Sequence, residues 1–233
     1  DGGRGMSSRQ IEAAPLWGVS RFLIADQAVT WELSQAEIRA DVAAARRFLE
    51  QLGLRAGDRV LFLSRLPEAA YFWPLELALL SLGGQLSSAD ATPFDAYRSA
   101  MFLRTLSFRA VIGIDAAVLD GLAALGADLE ALLSRVPCVL ARPDAILRLE
   151  AVGLRPLRMC FLGPALAVET AAGAGPAVDP ELWELATDAG EVLVTSRIPR
   201  AMRFERQRTG VRAHIERAGG RAALFMFYVS PDE

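Results

Sequence analysis

The chain has 233 residues, 52% of them hydrophobic, and a formal net charge of −3. This length suits one large domain or two small ones, and the hydrophobic content is typical of a globular protein rather than a disordered one. The slightly acidic balance argues against nucleic acid as a partner. The most apolar stretch, residues 71–84, contains Pro74 and Glu76 and is too short to span a bilayer. With no signal-peptide pattern, we expect a cytoplasmic protein without a membrane partner.

All 25 basic residues are arginine. Without lysine, no side-chain amine can form a Schiff base, contact a phosphate or act as a general base. Cys138 and Cys160 lie in apolar segments and are predicted to be buried free thiols. His214 is the single histidine, and no metal-ligand spacing is visible around it. The sequence therefore predicts no metal site and no cofactor.

Strand and helix patterns alternate through the first half of the chain. Residues 22–31 predict a β-hairpin, and Ser34 with Glu37 at capping-box spacing predicts a helix that ends at Gly53. The following segments predict strands at 59–64, 85–88 and 109–114, with helices at 67–82 and 94–106 between them. This alternation is typical of an α/β fold with a parallel sheet flanked by helices.

The middle of the chain continues with helical and strand patterns. Residues 116–135 and 142–151 predict helices, and residues 136–140 and 157–163 predict strands. The glycine-rich residues 173–176 lack the preceding strand, following helix and lysine of a phosphate-binding loop. We therefore interpret them as an ordinary loop.

The last part of the chain predicts a small antiparallel β subdomain. Its strands are expected at 191–195, 202–206, 212–215 and 222–229, with Gly219 and Gly220 in the last hairpin turn. The predicted division gives an N-terminal arm (1–19), α/β lobes (20–175) and a β-barrel-like subdomain (176–233). Residues 1–5, ahead of Met6, are a candidate cloning remnant within the arm.

An ordered series of short motifs runs through the first hundred residues. TWEL (30–33) leads into the first helix, GLRAGDRV (53–60) leads into a strand, and SRLPE (64–68) follows that strand. Two glycines (83–84) and the segment ADATP (89–93) complete the series. In order and spacing, these motifs resemble the first lobe of adenylate-forming enzymes, the superfamily of acyl-CoA synthetases, phenylacetate-CoA ligases and luciferases. The resemblance implies the large-domain fold of that superfamily.

A second resemblance lies near the C terminus, where residues 190–196 read GEVLVTS and residues 208–211 read RTGV. Adenylate-forming enzymes have a similar G-E-L-x-x-T segment followed by Y-R-T-G-D, and their closing Asp holds the ribose hydroxyls of the adenylate. Val211 stands at that position and cannot accept a hydrogen bond. The family's phosphate loop, its Y-G-x-T-E signature, its catalytic lysine and its mobile C-terminal domain are also missing from the sequence. The resemblance thus implies a truncated, degenerate member that does not use ATP.

Residual ligand contacts are predicted around the retained motif. The candidate ligand-binding residues are Arg208, Thr209, Gly210, Arg206, Glu205 and His214, and no catalytic residue is predicted. Eight arginines are concentrated in this region: Arg197, Arg200, Arg203, Arg206, Arg208, Arg212, Arg217 and Arg221. They indicate either a site for an anion such as a phosphate or CoA, or the solvated face of a small barrel.

The resulting hypothesis is a catalytically degenerate acyl-CoA synthetase-like protein, a pseudoenzyme that acts as a binding, scaffold or partner subunit. A small acyl, aromatic or anionic ligand and a protein partner or homo-oligomer are expected. The last predicted strand supports a partner, because it is apolar on both faces. The alternative is an enzyme with repurposed acyl- or aromatic-acid-handling chemistry in a biosynthetic pathway, with Arg208, Glu205 or His214 as its polar groups.

Overall fold

The computed structural model describes residues 15–24, 27–218 and 221–226. Most of the predicted arm, the glycine turn at 219–220 and the end of the last predicted strand lie outside these residues. The strands are β1 (Leu16–Ile24), β2 (Gln27–Ser34), β3 (Arg59–Ser64), β4 (Gln85–Asp90), β5 (Ala110–Ile114), β6 (Cys138–Ala141), β7 (Leu157–Leu162), β8 (Ala165–Val168), β9 (Trp183–Asp188), β10 (Glu191–Ser196), β11 (Gln207–Ala218) and β12 (Arg221–Met226). The α-helices are α1 (Gln35–Gln51), α2 (Ala69–Ser81), α3 (Ala96–Thr105), α4 (Ala116–Ala124), α5 (Leu129–Leu133) and α6 (Pro143–Ala151).

The first helix begins at the predicted capping box. The Ser34 hydroxyl accepts a hydrogen bond from the Glu37 amide at 3.2 Å, and the Glu37 carboxylate accepts one from the Ser34 amide at 2.7 Å. These reciprocal bonds satisfy two amides that have no partner within the helix. Gly53 follows the helix with a φ of 77°, a conformation that glycine adopts without strain.

A six-stranded sheet forms the centre of the protein, in the order β4-β3-β5-β6-β7-β8. Its first five strands are parallel, and β8 returns antiparallel to β7. Alternate residues of β3 belong to two different hydrophobic clusters, one on each face of the sheet. Helices therefore pack against both faces. Phe62 belongs to the cluster with α1 and α2, and Leu63 to the cluster with α3, α4 and α6. The predicted α/β architecture is therefore confirmed.

A separate four-stranded antiparallel sheet has the order β12-β11-β10-β9. Its inward-facing Trp183, Val192 and Val194 belong to the same hydrophobic cluster as Leu49 of α1. Residues 176–177 contact the outer edge of β12, where the Leu224 amide donates to the Pro176 carbonyl at 2.9 Å. The predicted antiparallel subdomain is confirmed, and its exact boundary at residue 176 stays a prediction.

Two predicted elements were wrong. Residues 202–206 are irregular rather than a strand, because Arg206 has a φ of 49° and Phe204 turns inward to pack against Trp31 and Trp183. The sequence predicted a strand because the apolar Met202 and Phe204 alternate with the charged residues around them. The helix predicted over 116–135 is divided into α4 and α5, with a turn at Gly126, whose φ is 65°.

Candidate functional site

The retained motif residues lie where β10 pairs with β11, and they bind one another. The Glu191 carboxylate accepts from the Arg208 guanidinium at 2.5 Å and from the Gly210 amide at 3.0 Å. Arg208 also contacts Asp188 at 3.3 Å. Glu191 and Arg208, which the sequence retains, are thus tied to the strand pair by their own contacts.

Thr209 and Val211 have structural contacts in the same strand. Thr209 is buried, and its hydroxyl donates to the Val192 carbonyl at 2.8 Å while accepting from the Val211 amide at 3.2 Å. Val211 is half-buried and packs against the main hydrophobic cluster. The side chain in the position of the ribose-binding Asp therefore contributes apolar contact to this core.

The other three predicted ligand residues have different surroundings. Glu205 pairs with Arg203, and both side chains are exposed. The exposed Arg206 donates its backbone amide to the Thr195 hydroxyl at 2.9 Å. His214 is exposed and lies six residues beyond Arg208 on β11, which corresponds to roughly 20 Å along a strand.

Several arginines of the basic stretch are engaged in internal contacts. Arg200 is the most buried of these, with a side chain 2% exposed. It binds Asp41 at 2.9 Å and Glu37 at 3.6 Å, and its guanidinium lies 4.2 Å from the centre of the Trp183 ring. Arg197 contacts Glu184, and Arg217 donates to the Leu185 carbonyl. These contacts favour a structural role over an open anion site for the three residues.

The carboxyl edge of the parallel sheet is where open α/β sheets usually bind ligands, at the point where the strand order reverses. Here that point lies between β3 and β5. The connections from strand to α-helix at this edge are short: residues 65–68 after β3, residues 91–95 after β4, Asp115 after β5 and Arg142 after β6.

An ion-pair network, which we call the edge network (Arg65, Glu68, Asp115 and Arg142), covers this edge. Arg65 contacts Asp115 at 2.5 Å, and Arg142 contacts Asp115 at 3.6 Å. Arg142 also forms a two-pronged pair with Glu68 at 2.7 and 2.6 Å. Burial raises the pKa of Asp115, while the Val118 amide and the two arginines favour its charged form. Sequence reasoning missed the network, although Arg65 and Asp115 directly follow predicted strands.

A cavity of about 280 Å³ lies between α1, α2 and residues 177–183, and we call it the α1–α2 cavity. Its buried wall consists mainly of apolar and aromatic side chains, including Ala45, Ala70, Tyr71, Leu75, Val178, Leu182 and Trp183. Its more accessible lining, which we call the rim, consists of Asp41, Arg47, Gln51, Asp179 and Glu181. No sequence motif indicated this cavity, because its residues come from separate segments.

Both cysteines are free and buried, as predicted. Burial raises the pKa of Cys138 to about 11 and that of Cys160 to about 12. Within the described ranges, no group of three or more His, Cys, Asp or Glu side chains is arranged to hold a metal ion. In that same part of the chain, no helix is long and apolar enough to cross a membrane.

Solved structures with the same fold are acyl-CoA ligases. An open conformation of 2-hydroxyisobutyryl-CoA ligase, in complex with 2-HIB-AMP and CoA, superposes with a TM-score of 0.67 at 14% identity, over 91% of this chain and 56% of the ligase. A putative long-chain-fatty-acid CoA ligase from Rhodopseudomonas palustris gives 0.60 at 17% identity, over 92% and 60%. A malonyl-CoA ligase complex with methylmalonyl-CoA and AMP gives 0.58 at 15% identity, over 91% and 53%.

These comparisons show that the chain has the fold of acyl-CoA and adenylate-forming ligases, as its motifs predicted. The chain spans little more than half the length of these ligases. No family model and no curated protein matches the sequence.

Proposed function

We propose that this chain is a non-adenylating relative of acyl-CoA ligases that acts as a binding, scaffold or partner subunit. The carboxyl edge of its parallel sheet carries this proposal. The strand-to-helix connections there are one to five residues long, and the edge network links three of them through paired charges. A triphosphate at this edge would compete with Glu68 and Asp115 for Arg142, and the chain has no lysine that could contact its phosphates instead.

The strand pair β10–β11 supports the same proposal. Retention of Glu191, Arg208 and Gly210 is explained by their mutual hydrogen bonds, without a nucleotide. Val211 offers no side-chain acceptor for ribose hydroxyls and packs against the core instead. The alternative of a repurposed enzyme is not better supported, since His214 lies roughly 20 Å from Arg208 along β11.

Pyrophosphate release tests the loss of adenylation. The chain is incubated with Mg²⁺, ATP and a panel of short, aromatic and long-chain carboxylic acids, beside an active acyl-CoA ligase as a positive control. We expect no release above the protein-free blank. We expect the same of Val211→Asp, because restoring one acceptor does not rebuild a phosphate site. Acid-dependent release by the unmodified chain would contradict the proposal.

An exposed apolar stripe on α2 supports a protein partner or a homo-oligomer. Trp73, Leu77 and Leu80 are 47%, 40% and 51% exposed, and their spacing places them on one face of the helix. Exposed apolar surface of this kind is typical of contact sites.

Light scattering and capture from host extract test the partner role. If the stripe mediates association, Leu77→Glu should abolish it, whereas Leu147→Glu, on the distant α6, should not. A chain that stays monomeric and captures no protein through the stripe would contradict a partner role.

A further inference from the structure

We propose that the α1–α2 cavity binds an organic amine with an aromatic or alkyl body and a protonated head. The proposed function assigns no ligand to this place. The compounds bound in two of those ligases, 2-HIB-AMP with CoA and methylmalonyl-CoA with AMP, are anionic. The inference therefore concerns a different chemistry and does not depend on the loss of adenylation.

The size and wall of the cavity indicate the apolar body of the ligand. Ligand pockets span about 300 to 1,000 Å³, and an apolar cavity of about 150 Å³ already holds benzene. A cavity of about 280 Å³ therefore suits a body of one or two rings or a medium alkyl chain. Tyr71 does not direct its hydroxyl donor at a ligand, because that group donates to the Gly163 carbonyl at 2.5 Å.

The charges of the rim indicate the head of the ligand. Three carboxylates, Asp41, Asp179 and Glu181, line the cavity beside a single guanidinium, that of Arg47. Arg47 is held between two of them, at 2.7 Å from Asp179 and 2.8 Å from Glu181. The excess of negative charge would repel a ligand carboxylate, whereas it would attract an ammonium group.

Asp41 belongs to the same acidic side of the cavity. Its partner is the buried Arg200, which also contacts the fully buried Glu37. The guanidinium of Arg200 is thus shared by the carboxylates of Asp41 and Glu37. Counting Arg200 and Glu37 together with the rim therefore leaves an excess of negative charge. Gln51 is neutral and exposed.

Pro74 changes the helical hydrogen bonding beside the cavity. Pro74 lies inside α2 and has no amide hydrogen, so the carbonyl of Ala70, four residues earlier, loses its usual helical donor. Ala70 and Pro74 both line the cavity.

Calorimetric titration with pairs of ligands that differ in charge tests the inference. The probes are 2-phenylethylamine against phenylacetate, and tryptamine against indole-3-acetate, at neutral pH and low salt. We expect each amine to bind about tenfold or more tightly than the acid with the same ring. Equal or tighter binding of the acids, or no binding of any amine, would overturn the proposal.

Matched variants locate the binding. Ala44 lines the cavity and Ala43 is its exposed neighbour on the same helix. Ala44→Leu should weaken amine binding about tenfold or more, while Ala43→Leu should leave it unchanged. Glu181→Gln alters an exposed side chain, so folding is preserved, and should weaken the amines about two- to fivefold. Unchanged amine affinity in both Ala44→Leu and Glu181→Gln would place the binding elsewhere and refute the assignment.

Discussion

Glu68→Gln tests whether the edge network is a buried structural unit. Glu68 is 14% exposed, and Arg142, its partner in two short hydrogen bonds, is 11% exposed. Removing the carboxylate charge leaves the guanidinium over the rings of Phe161 and Phe72, with Asp115 at 3.6 Å as its nearest remaining counter-charge.

The expected loss of stability follows from the burial of the Glu68–Arg142 ion pair. Breaking a buried ion pair costs about 3–5 kcal/mol, and Asp115 offsets part of that loss. We therefore expect the free energy of unfolding to fall by about 3 kcal/mol. For a chain of this size, that corresponds to a decrease in Tm of about 6–12 °C.

Urea unfolding followed by circular dichroism measures the change. Asp120→Asn is the matched control, because it removes the charge from the exposed pair of Asp120 with Arg148, and should cost about 0.5 kcal/mol or less. If Glu68→Gln costs no more than Asp120→Asn, the edge network is solvent-screened and the argument that it closes the carboxyl edge fails.

Three further predictions concern other parts of the chain. Thr209→Val removes a buried hydroxyl and should lower the free energy of unfolding by about 1–2 kcal/mol in urea, whereas Thr209→Ser should cost less; equal costs would contradict this reasoning. Pro74→Ala restores a helical N–H in α2 and should raise the free energy of unfolding by up to about 3 kcal/mol, less the contacts that the buried proline ring loses; a decrease in urea unfolding would contradict this reasoning. Burial raises the pKa of Asp41 in the folded chain above its ordinary value of 3.8, so folding favours the protonated carboxyl group. The free energy of unfolding, measured in urea relative to Asp41→Asn, should therefore fall as pH rises above 3.8. An increase with pH would contradict this.

Local patterns predicted the fold well, because they depend on neighbouring residues. Ser34 and Glu37 form their capping box within one turn, and the buried runs at 59–64 and 109–114 form central strands. The same logic failed at 202–206, because the inward turn of Phe204 is set by Trp31 and Trp183, which are distant in sequence.

The candidate sites were harder to predict for the same reason. The sequence motif drew attention to Arg208 and Val211, whose neighbourhood is occupied by contacts between the strands. The α1–α2 cavity depends on α1, α2 and the segment around Asp179, which meet only through the tertiary fold. The contact between Arg47 and Asp179 spans 132 positions, and no spacing rule indicates it.

Equilibrium titration with ATP and Mg²⁺ tests the central claim most directly, because it needs no choice of acid substrate. The account predicts no heat of binding above dilution at millimolar nucleotide, under conditions in which an active acyl-CoA ligase binds. Saturable binding of ATP with a Kd in the micromolar range would contradict it, since the proposal holds that the short strand-to-helix connections and the edge network form no nucleotide site.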